Sequence, residues 1–244
     1  YMTDYIGKNG LEKQYEKEFS GVHGALQVEV DSMGNIKKNL GVINPVAGSD
    51  LILNIDEGLQ KKIYDSLTSV LEKTATKTAA AVAIDPRNGG VLAMVSLPGY
   101  DNNLFAEGIS NEEYRKLIED KNLPLFNRAL NGEYPPGSTF KMAVASAALQ
   151  EGTITPETTV NDTSGAIFAG VFRFGDWKTH GLMNIRSAIS ESCDVFFYAL
   201  GGGYGGIKGL GIDQIKKYAN LFGFSKATGV DLPNESAGFV PDEK

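Results

Sequence analysis

The sequence predicts an α+β fold, in which helices and an antiparallel strand pair do not alternate in a regular order. One observation is the spacing of Leu59, Ile63 and Leu67, which places apolar side chains on one face of a helix. A second is a pair of apolar runs, 79–84 and 91–95, on either side of the turn sequence DPRNGG. The third is that the later helical segments do not alternate with further strands.

The N-terminal segment, residues 1–49, is polar and rich in turn residues, and we predict that it is the end of a separate β-rich module. Residues 25–30 (ALQVEV) alternate apolar and polar side chains as a half-buried strand does, and a short charged helix precedes them. Residues 51–55 (LILNI) lead into the second domain, which we predict over residues 50–244.

The second domain begins with the amphipathic helix, and Asp56 stands near its start as a capping residue would. Beyond the middle of the domain the chain is rich in turn residues up to Gly181. Further helices are predicted from Asn184, over 195–200 and over 213–222. Residues 201–206 match the pattern G-x-G-x-x-G, but they follow a helix and not a strand, which argues against a dinucleotide-binding loop.

Composition limits the possible functions. Hydrophobic residues make up 42% of the 244 residues, enough for one sizeable core and a smaller appendage. The net charge of −7 disfavours nucleic acid as a partner. A single cysteine excludes an internal disulfide, and with only two histidines we expect no metal site; no cofactor is expected either. No apolar run approaches the roughly 20 residues of a membrane span.

The segment 134–141 (YPPGSTFK) holds the first candidate for chemistry. Ser138 and Lys141 are three residues apart at the start of a predicted helix, and side chains at that spacing are roughly 5–6 Å apart at Cβ, so the amine can reach the hydroxyl. A lysine kept neutral by a water-poor site can take the serine proton and make the serine a nucleophile. The pattern is S-x-x-K, the acylation motif of penicillin-interacting serine enzymes.

The surroundings of this motif support a buried helix. Two prolines and a glycine precede Ser138 and favour a sharp turn. Residues 142–149 (MAVASAAL) are small or apolar almost all round, and Gly152 suits the C-terminal cap. The helix dipole would favour an oxyanion beside Ser138. The alternative is that Ser138 only caps the helix and that Lys141 is a surface charge.

The second candidate lies in residues 190–198 (SESCDVFFY), a short polar break between two predicted helices. In the simpler interpretation, Ser192 or Asp194 caps the following helix. Considered with Ser138 and Lys141, a second hydroxyl about fifty residues downstream can relay a proton between the lysine and a leaving amine.

With these motifs the chain resembles the class B penicillin-binding proteins of the elongation type, the penicillin-binding protein 2 family, over almost its whole length. The resemblance rests on these segments in order: 7–12 (GKNGLE) with Tyr15, 124–129 (PLFNRA), 134–141 (YPPGSTFK), His180 and Gly181 before Ala188 and Ile189, 192–194 (SCD), 228–233 (TGVDLP) with Glu235, and 238–241 (GFVP). It implies the penicillin-binding, serine β-lactamase-like transpeptidase fold, with helices around an antiparallel sheet. The N-terminal segment would be the end of the family's pedestal, or dimerisation, module.

The resemblance implies a peptidoglycan D,D-transpeptidase that cross-links stem peptides and is a target of β-lactams. Ser138 would attack the penultimate D-Ala carbonyl, and its own backbone N–H would form half of the oxyanion hole. Lys141 would be the general base, Ser192 would hydrogen-bond Lys141 and shuttle the proton, and Asp194 would position substrate or cap a helix.

The same resemblance implies partners and a location. The partners would be stem peptides ending in D-Ala-D-Ala, β-lactams and a membrane glycosyltransferase of the wall-elongation machinery. The location would be the extracytoplasmic face of the cytoplasmic membrane, with the anchor outside this chain.

Two features depart from the family pattern. The second motif usually reads S-x-N but ends here in Asp194, and an ionised carboxylate near Lys141 works against a neutral base. The third motif, K-T-G, is not in the chain, since 73–75 (KTA) and 178–180 (KTH) do not match it. We therefore expect a piece that is incomplete at its C-terminus and inactive without the third motif.

Two alternatives remain open. A D,D-carboxypeptidase or a serine β-lactamase would use the same nucleophile but transfer the acyl group to water, and the pedestal-like N-terminus argues against it. A non-catalytic scaffold of the wall-synthesis machinery would keep the fold without turnover. Labelling by a fluorescent penicillin separates the scaffold from the enzymes, and product analysis with an amine acceptor separates the enzymes from each other.

Overall fold

The computed structural model describes residues 6–106 and 108–242. These residues divide into two compact units. The first comprises the residues up to Gly132 together with Gly229–Glu235, and the second comprises Glu133–Thr228 with the residues from Ser236 onward. The domain boundary predicted between residues 49 and 50 lies inside the first unit and remains a prediction.

The first unit is built from helices and two antiparallel hairpins. In chain order its elements are α1 (Gly10–Gln14), α2 (Glu16–Phe19), β1 (Ala25–Val30), β2 (Ile36–Ile43), α3 (Glu57–Glu72), β3 (Ala79–Ile84), β4 (Val91–Leu97), a 3-10 helix (Asn102–Phe105), α4 (Asn111–Glu119) and α5 (Arg128–Asn131). β1 pairs with β2 and β3 pairs with β4. The strand predicted over residues 25–30 is confirmed.

Helix α3 and the β3–β4 hairpin follow the predicted local patterns. The Asp56 side chain caps α3 by accepting a hydrogen bond from the Leu59 N–H at 2.9 Å, which satisfies a free donor of the first turn. In β4, Ala93, Val95 and Leu97 are buried at every second position, as the period of a strand requires. The apolar spacing that predicted these elements is confirmed.

The second unit contains the candidate site. In chain order its elements are a 3-10 turn (Gly137–Phe140), α6 (Lys141–Gln150), β5 (Thr159–Asp162), β6 (Ala166–Ala169), β7 (Phe172–Gly175), β8 (Gly181–Asn184), α7 (Ile185–Ser190), α8 (Asp194–Gly202) and α9 (Gly211–Leu221). The mixture of helices and antiparallel strand pairs confirms the predicted α+β class. Among the described residues each sheet has two antiparallel strands.

Three strands of the second unit, β5 to β7, lie in the stretch that was predicted to be rich in turns, and β8 begins at its end, where no strand was predicted. β5 pairs with β8 and β6 pairs with β7, and each strand has four residues. That prediction was wrong because segments so short carry little periodicity, and left-handed glycines such as Gly165 and Gly170 dominate the local signal. β5 and β8 are also separated in sequence by the whole β6–β7 hairpin, so no local pattern encodes their pairing.

The core of the second unit includes the facing sides of α6 and α8. The buried residues of α6 are small or β-branched: Ala143, Val144, Ala145, Ala147 and Ala148. The buried residues of α8 are mostly large: Val195, Phe196, Phe197, Ala199 and Leu200. Small side chains on one helix leave room for the large ones of the other, at the density usual for protein interiors. The buried helix predicted after Ser138 is confirmed.

Phe196 should be one of the side chains that stabilise this core most, because it is fully buried. We expect Phe196→Ala to lower the free energy of unfolding of the second unit by about 3–5 kcal/mol. Denaturant titration followed by circular dichroism measures the change. Phe172→Ala is the matched control, since Phe172 is 68% exposed and its loss should cost little. Equal effects of the two changes would contradict the assignment of the core.

Candidate active site

Ser138 lies in the 3-10 turn that leads directly into the buried helix α6. Gly137, just before it, has φ +59°, a left-handed conformation that glycine adopts without a Cβ penalty. Ser138 is exposed, whereas the side chain of Lys141, at the start of α6, is only 12% exposed. The Ser138 hydroxyl, which is open to solvent, therefore lies near the Lys141 amine, which is largely buried.

Ser192 lies at the break between α7 and α8, with φ +55°, an uncommon value for a residue other than glycine. Its N–H donates to the Ile189 carbonyl at 3.2 Å, and the Cys193 N–H donates to the Ala188 carbonyl at 2.9 Å, which ends α7. The N-cap of α8 is Cys193, whose sulfur accepts a hydrogen bond from the first turn. The simpler interpretation, in which Ser192 or Asp194 caps α8, is therefore wrong.

A continuous chain of hydrogen bonds joins Ser138, Ser192 and Lys141. Ser192 Oγ lies 2.8 Å from Ser138 Oγ. Lys141 Nζ lies 3.0 Å from Ser192 Oγ and 2.7 Å from the Ser192 carbonyl oxygen. Within the described part of the chain, Lys141 Nζ forms no hydrogen bond to Ser138 Oγ. The structure thus brings the three predicted residues together, but Ser192 stands between the pair that the sequence led us to expect in direct contact.

Asp194, the fourth predicted site residue, contacts the lysine. Its Oδ1 lies 2.5 Å from Lys141 Nζ, and its side chain is 35% exposed. As the first residue of α8 it also places a negative charge at the positive end of that helix. Lys141 Nζ lies 5.3 Å from the ring centroid of Phe197, which adds a cation–π contact. These contacts hold the amine in one position beside Ser192.

A second polar cluster includes Cys193, the sequence neighbour of Ser192. The ligand atoms of Asp176, His180 and Cys193 all lie within 4.8 Å of one another. A carboxylate, an imidazole and a thiol are all donors that zinc takes in proteins, so these three residues could hold a metal ion. The composition, with one cysteine and two histidines, led us to expect no metal-binding cluster. Asp176 follows β7 and His180 precedes β8, so the unpredicted strands bring these donors to Cys193.

The protonation of this cluster follows from its surroundings. Burial by itself would raise the pKa of Asp176, but hydrogen bonds from the N–H groups of Val195 at 2.9 Å and Trp177 at 2.8 Å outweigh it and lower that pKa on balance. Burial raises the pKa of the Cys193 thiol to about 11. At neutral pH the carboxyl group is therefore charged and the thiol is protonated.

Cys193 should be chemically inert in the native protein. With a pKa of about 11, only about one thiol in a thousand is ionised at pH 8, and the thiolate is the reactive form. We expect iodoacetamide to modify Cys193 only after denaturation, as measured by intact mass. Cys193→Ala should keep most penicillin labelling per folded molecule, because the thiol is outside the hydrogen-bond chain. Rapid alkylation of the native protein would contradict this.

A serine hydroxyl ahead of a buried helix, joined to a second serine and a lysine, is the arrangement of the S-x-x-K class of penicillin-interacting serine proteins. The chain belongs to the penicillin-binding protein transpeptidase family. Residues 79–244 match the family described as the penicillin binding protein transpeptidase domain, and residues 1–53 match the penicillin-binding protein dimerisation domain.

The relatives confirm the resemblance to penicillin-binding protein 2. The chain is 41% identical over 243 residues to the peptidoglycan D,D-transpeptidase MrdA of Acinetobacter baumannii, with 98% of this chain and 34% of the relative covered. It is 42% identical over 245 residues to MrdA of Salmonella typhimurium, with 99% and 37% covered. The solved complex of PBP2 and MreC from Helicobacter pylori matches with a TM-score of 0.81 and 37% identity, with 97% and 42% covered. The chain spans about a third of the length of the curated relatives it matches.

Proposed function

We propose that this chain is part of a peptidoglycan D,D-transpeptidase that works through an acyl-enzyme on Ser138. The observation that carries the proposal is the hydrogen-bond chain from Ser138 through Ser192 to Lys141, because it connects an exposed hydroxyl to an amine that is largely buried. Serine needs such a base to become a nucleophile. Relatives 41% and 42% identical to the chain bear the name of this activity.

The substrate would be a stem peptide ending in D-Ala-D-Ala. Ser138 Oγ attacks the penultimate D-Ala carbonyl, and the backbone N–H of Ser138 is half of the oxyanion hole. When the intermediate collapses, the C–N bond breaks and the terminal D-Ala leaves as an amine that has taken a proton. An amine of a neighbouring stem peptide then attacks the ester and regenerates Ser138. A β-lactam would acylate the same hydroxyl.

Asp194 would have two tasks in this reaction. One of its oxygens is engaged with Lys141 at 2.5 Å. Since the side chain is 35% exposed, we propose that its second oxygen contacts the bound peptide. Asp194 would thus take the position that asparagine has in the family's usual S-x-N motif.

Transfer to an amine is favoured over the two alternatives. The match of residues 1–53 to the dimerisation domain supports a pedestal ahead of the catalytic domain, which is not expected of a simple carboxypeptidase or β-lactamase. The connected Ser138, Ser192 and Lys141 side chains disfavour a scaffold without turnover, since a scaffold has no need of an activated hydroxyl.

The proposal is tested on the full-length protein with a donor peptide ending in D-Ala-D-Ala and a D-amino acid as the amine acceptor. Mass spectrometry should detect the peptide whose terminal D-Ala has been exchanged for the acceptor amino acid, in excess of the hydrolysed peptide. Hydrolysis of the peptide alone would establish the carboxypeptidase alternative, and catalytic hydrolysis of penicillin in place of a lasting adduct would establish the β-lactamase alternative. Absence of both products, together with absence of a penicillin adduct, would establish the scaffold.

Partners and location follow from the same proposal. The solved Helicobacter pylori relative is a complex with MreC, which supports assembly of the full-length protein with other wall-synthesis proteins. We propose a membrane glycosyltransferase among them, and a location at the extracytoplasmic face of the cytoplasmic membrane. Within residues 6–106 and 108–242, no helix has both the length and the apolar character to cross a bilayer.

A further inference from the structure

The outer edge of β4, the edge that does not face β3, is occupied by helix α3 and its N-cap. Gln60 Nε2 donates a hydrogen bond to the Met94 carbonyl oxygen at 2.9 Å, and the Met94 N–H donates to Gln60 Oε1 at 2.8 Å. One position group earlier, the Leu92 carbonyl oxygen accepts a hydrogen bond from the N–H of Asp56 at 2.9 Å. The Gln60 amide thus bonds both polar backbone groups of one residue, as a neighbouring strand would.

These contacts show which backbone groups of β4 point away from β3. In an antiparallel pair, opposite residues alternate between a hydrogen-bonded pair and a non-bonded pair. Met94 lies opposite Val82, and both of its backbone polar groups go to Gln60, so this pair is the non-bonded one. The neighbouring residues Ala93 and Val95 then make the bonds to β3. Without the Gln60 amide, the outward N–H and carbonyl groups of Met94 would be available to another strand.

The sequence of β4 lacks the features that commonly protect an edge strand. Proteins block exposed edges with charged residues, proline, a bulge or a covering element, because an open edge pairs with other chains. Residues 91–97 (VLAMVSL) contain no charged residue and no proline, and short uncharged runs of this kind pair readily. The register of the β3–β4 pair shifts only between Ala83 and Ile84, which leaves Met94 in a regular stretch. Protection at Met94 therefore comes from outside the strand.

We infer that Gln60 closes the β4 edge against pairing with another strand, including β4 of a second copy of this protein. Within residues 6–106 and 108–242, β3 has β4 as its only sheet neighbour, so the other edge of β3 has no strand partner there. A strand that extends this sheet in the full-length protein would therefore pair along β3. The inference is independent of the proposed acyl transfer, because every contact that carries it lies in the first unit.

The first test measures backbone protection in the full-length protein after Gln60→Met. Methionine is a good helix former, but its thioether donates no hydrogen bond and accepts one only weakly. We expect hydrogen exchange, resolved to single amides by mass spectrometry, to be about 5–100-fold faster at the Met94 N–H, the effect of losing two hydrogen bonds of ordinary net strength. The Ala93 and Val95 N–H groups, which bond to β3, should exchange as in the wild type.

The second test measures association of the same variant. Light scattering after size-exclusion chromatography, over a series of protein concentrations, should give a larger mass for Gln60→Met than for the wild type, because an open edge pairs with another copy. Lys62→Met is the matched control, since it adds the same apolar side chain at an exposed position of α3 and leaves the contacts of Met94 unchanged. This control should match the wild type in both measurements.

Three results would overturn the inference. Wild-type exchange at Met94 in the Gln60→Met variant would show that Gln60 does not protect the edge. Faster exchange at Met94 without an increase in mass would show that the exposed groups do not pair with another copy. Faster exchange at Ala93 and Val95 as well would show that Gln60 is needed for the β3–β4 pair itself, and any association would then follow from unfolding.

Discussion

Replacing Ser138 by alanine should leave the full-length protein unable to form a covalent penicillin adduct. Ser138 is the exposed hydroxyl at the end of the hydrogen-bond chain, and alanine removes the only atom of that side chain that can bond to the acyl carbon. Loss of a serine nucleophile in another serine enzyme costs on the order of 10⁶ in rate. Intact mass after penicillin treatment, followed by peptide mapping, measures the result.

Ser146→Ala is the control for this experiment. Ser146 is also an exposed serine, in α6, but its hydroxyl donates to the Met142 carbonyl at 2.8 Å and has no link to Lys141. This variant should label at the wild-type rate. A penicillin adduct that survives Ser138→Ala, at any residue, would show that the nucleophile has been assigned wrongly.

Replacing Lys141 by arginine should abolish acylation while the fold survives. Arginine keeps the positive charge and can still pair with Asp194, but a guanidinium does not lose its proton in proteins and so cannot accept the proton of Ser138. The expected loss of the acylation rate is about 10²–10⁴-fold, the usual contribution of a general base. Stopped-flow fluorescence with a labelled penicillin gives the rate.

The control for the arginine variant is Lys178→Arg. Lys178 is 41% exposed and forms an ion pair with Glu191 at 2.7 Å, so its contribution to function should be small. A thermal melt of both variants separates loss of the base from loss of the fold. Near-normal acylation by Lys141→Arg would mean that the lysine acts only as a fixed positive charge.

Much of the site could be predicted because it is encoded by neighbouring residues. Ser138 and Lys141 are one helical turn apart, and the small residues that follow them predict the buried helix α6. The resemblance to the family implied that Ser192 hydrogen-bonds Lys141, but neither the residues nor the resemblance predicted its position between Lys141 and Ser138. It depends on a left-handed backbone at Ser192 and on contact between segments 54 residues apart. The same limit explains why the sequence led us to expect a direct bond between the lysine and the nucleophile.

The sequence by itself determined the elements whose causes are local. Asp56 caps α3 and Asn184 caps α7 through their own side chains. The apolar positions Leu59, Ile63 and Leu67 of α3 are half-buried, and alternate residues of β4 are buried. The S-x-x-K motif in its setting identified the family, because the order of several short segments is more specific than any one of them. Each of these signals lies within a few residues along the chain.

Only the tertiary structure decided the pairing of β5 with β8, the meeting of Asp176, His180 and Cys193, and the path from Ser138 through Ser192 to Lys141. The physical reason is the same in each case. These contacts join segments that are distant along the chain, and their geometry is decided when both segments pack on the shared core of the second unit. Local patterns of polarity and turn residues do not predict which distant segment a given segment will contact.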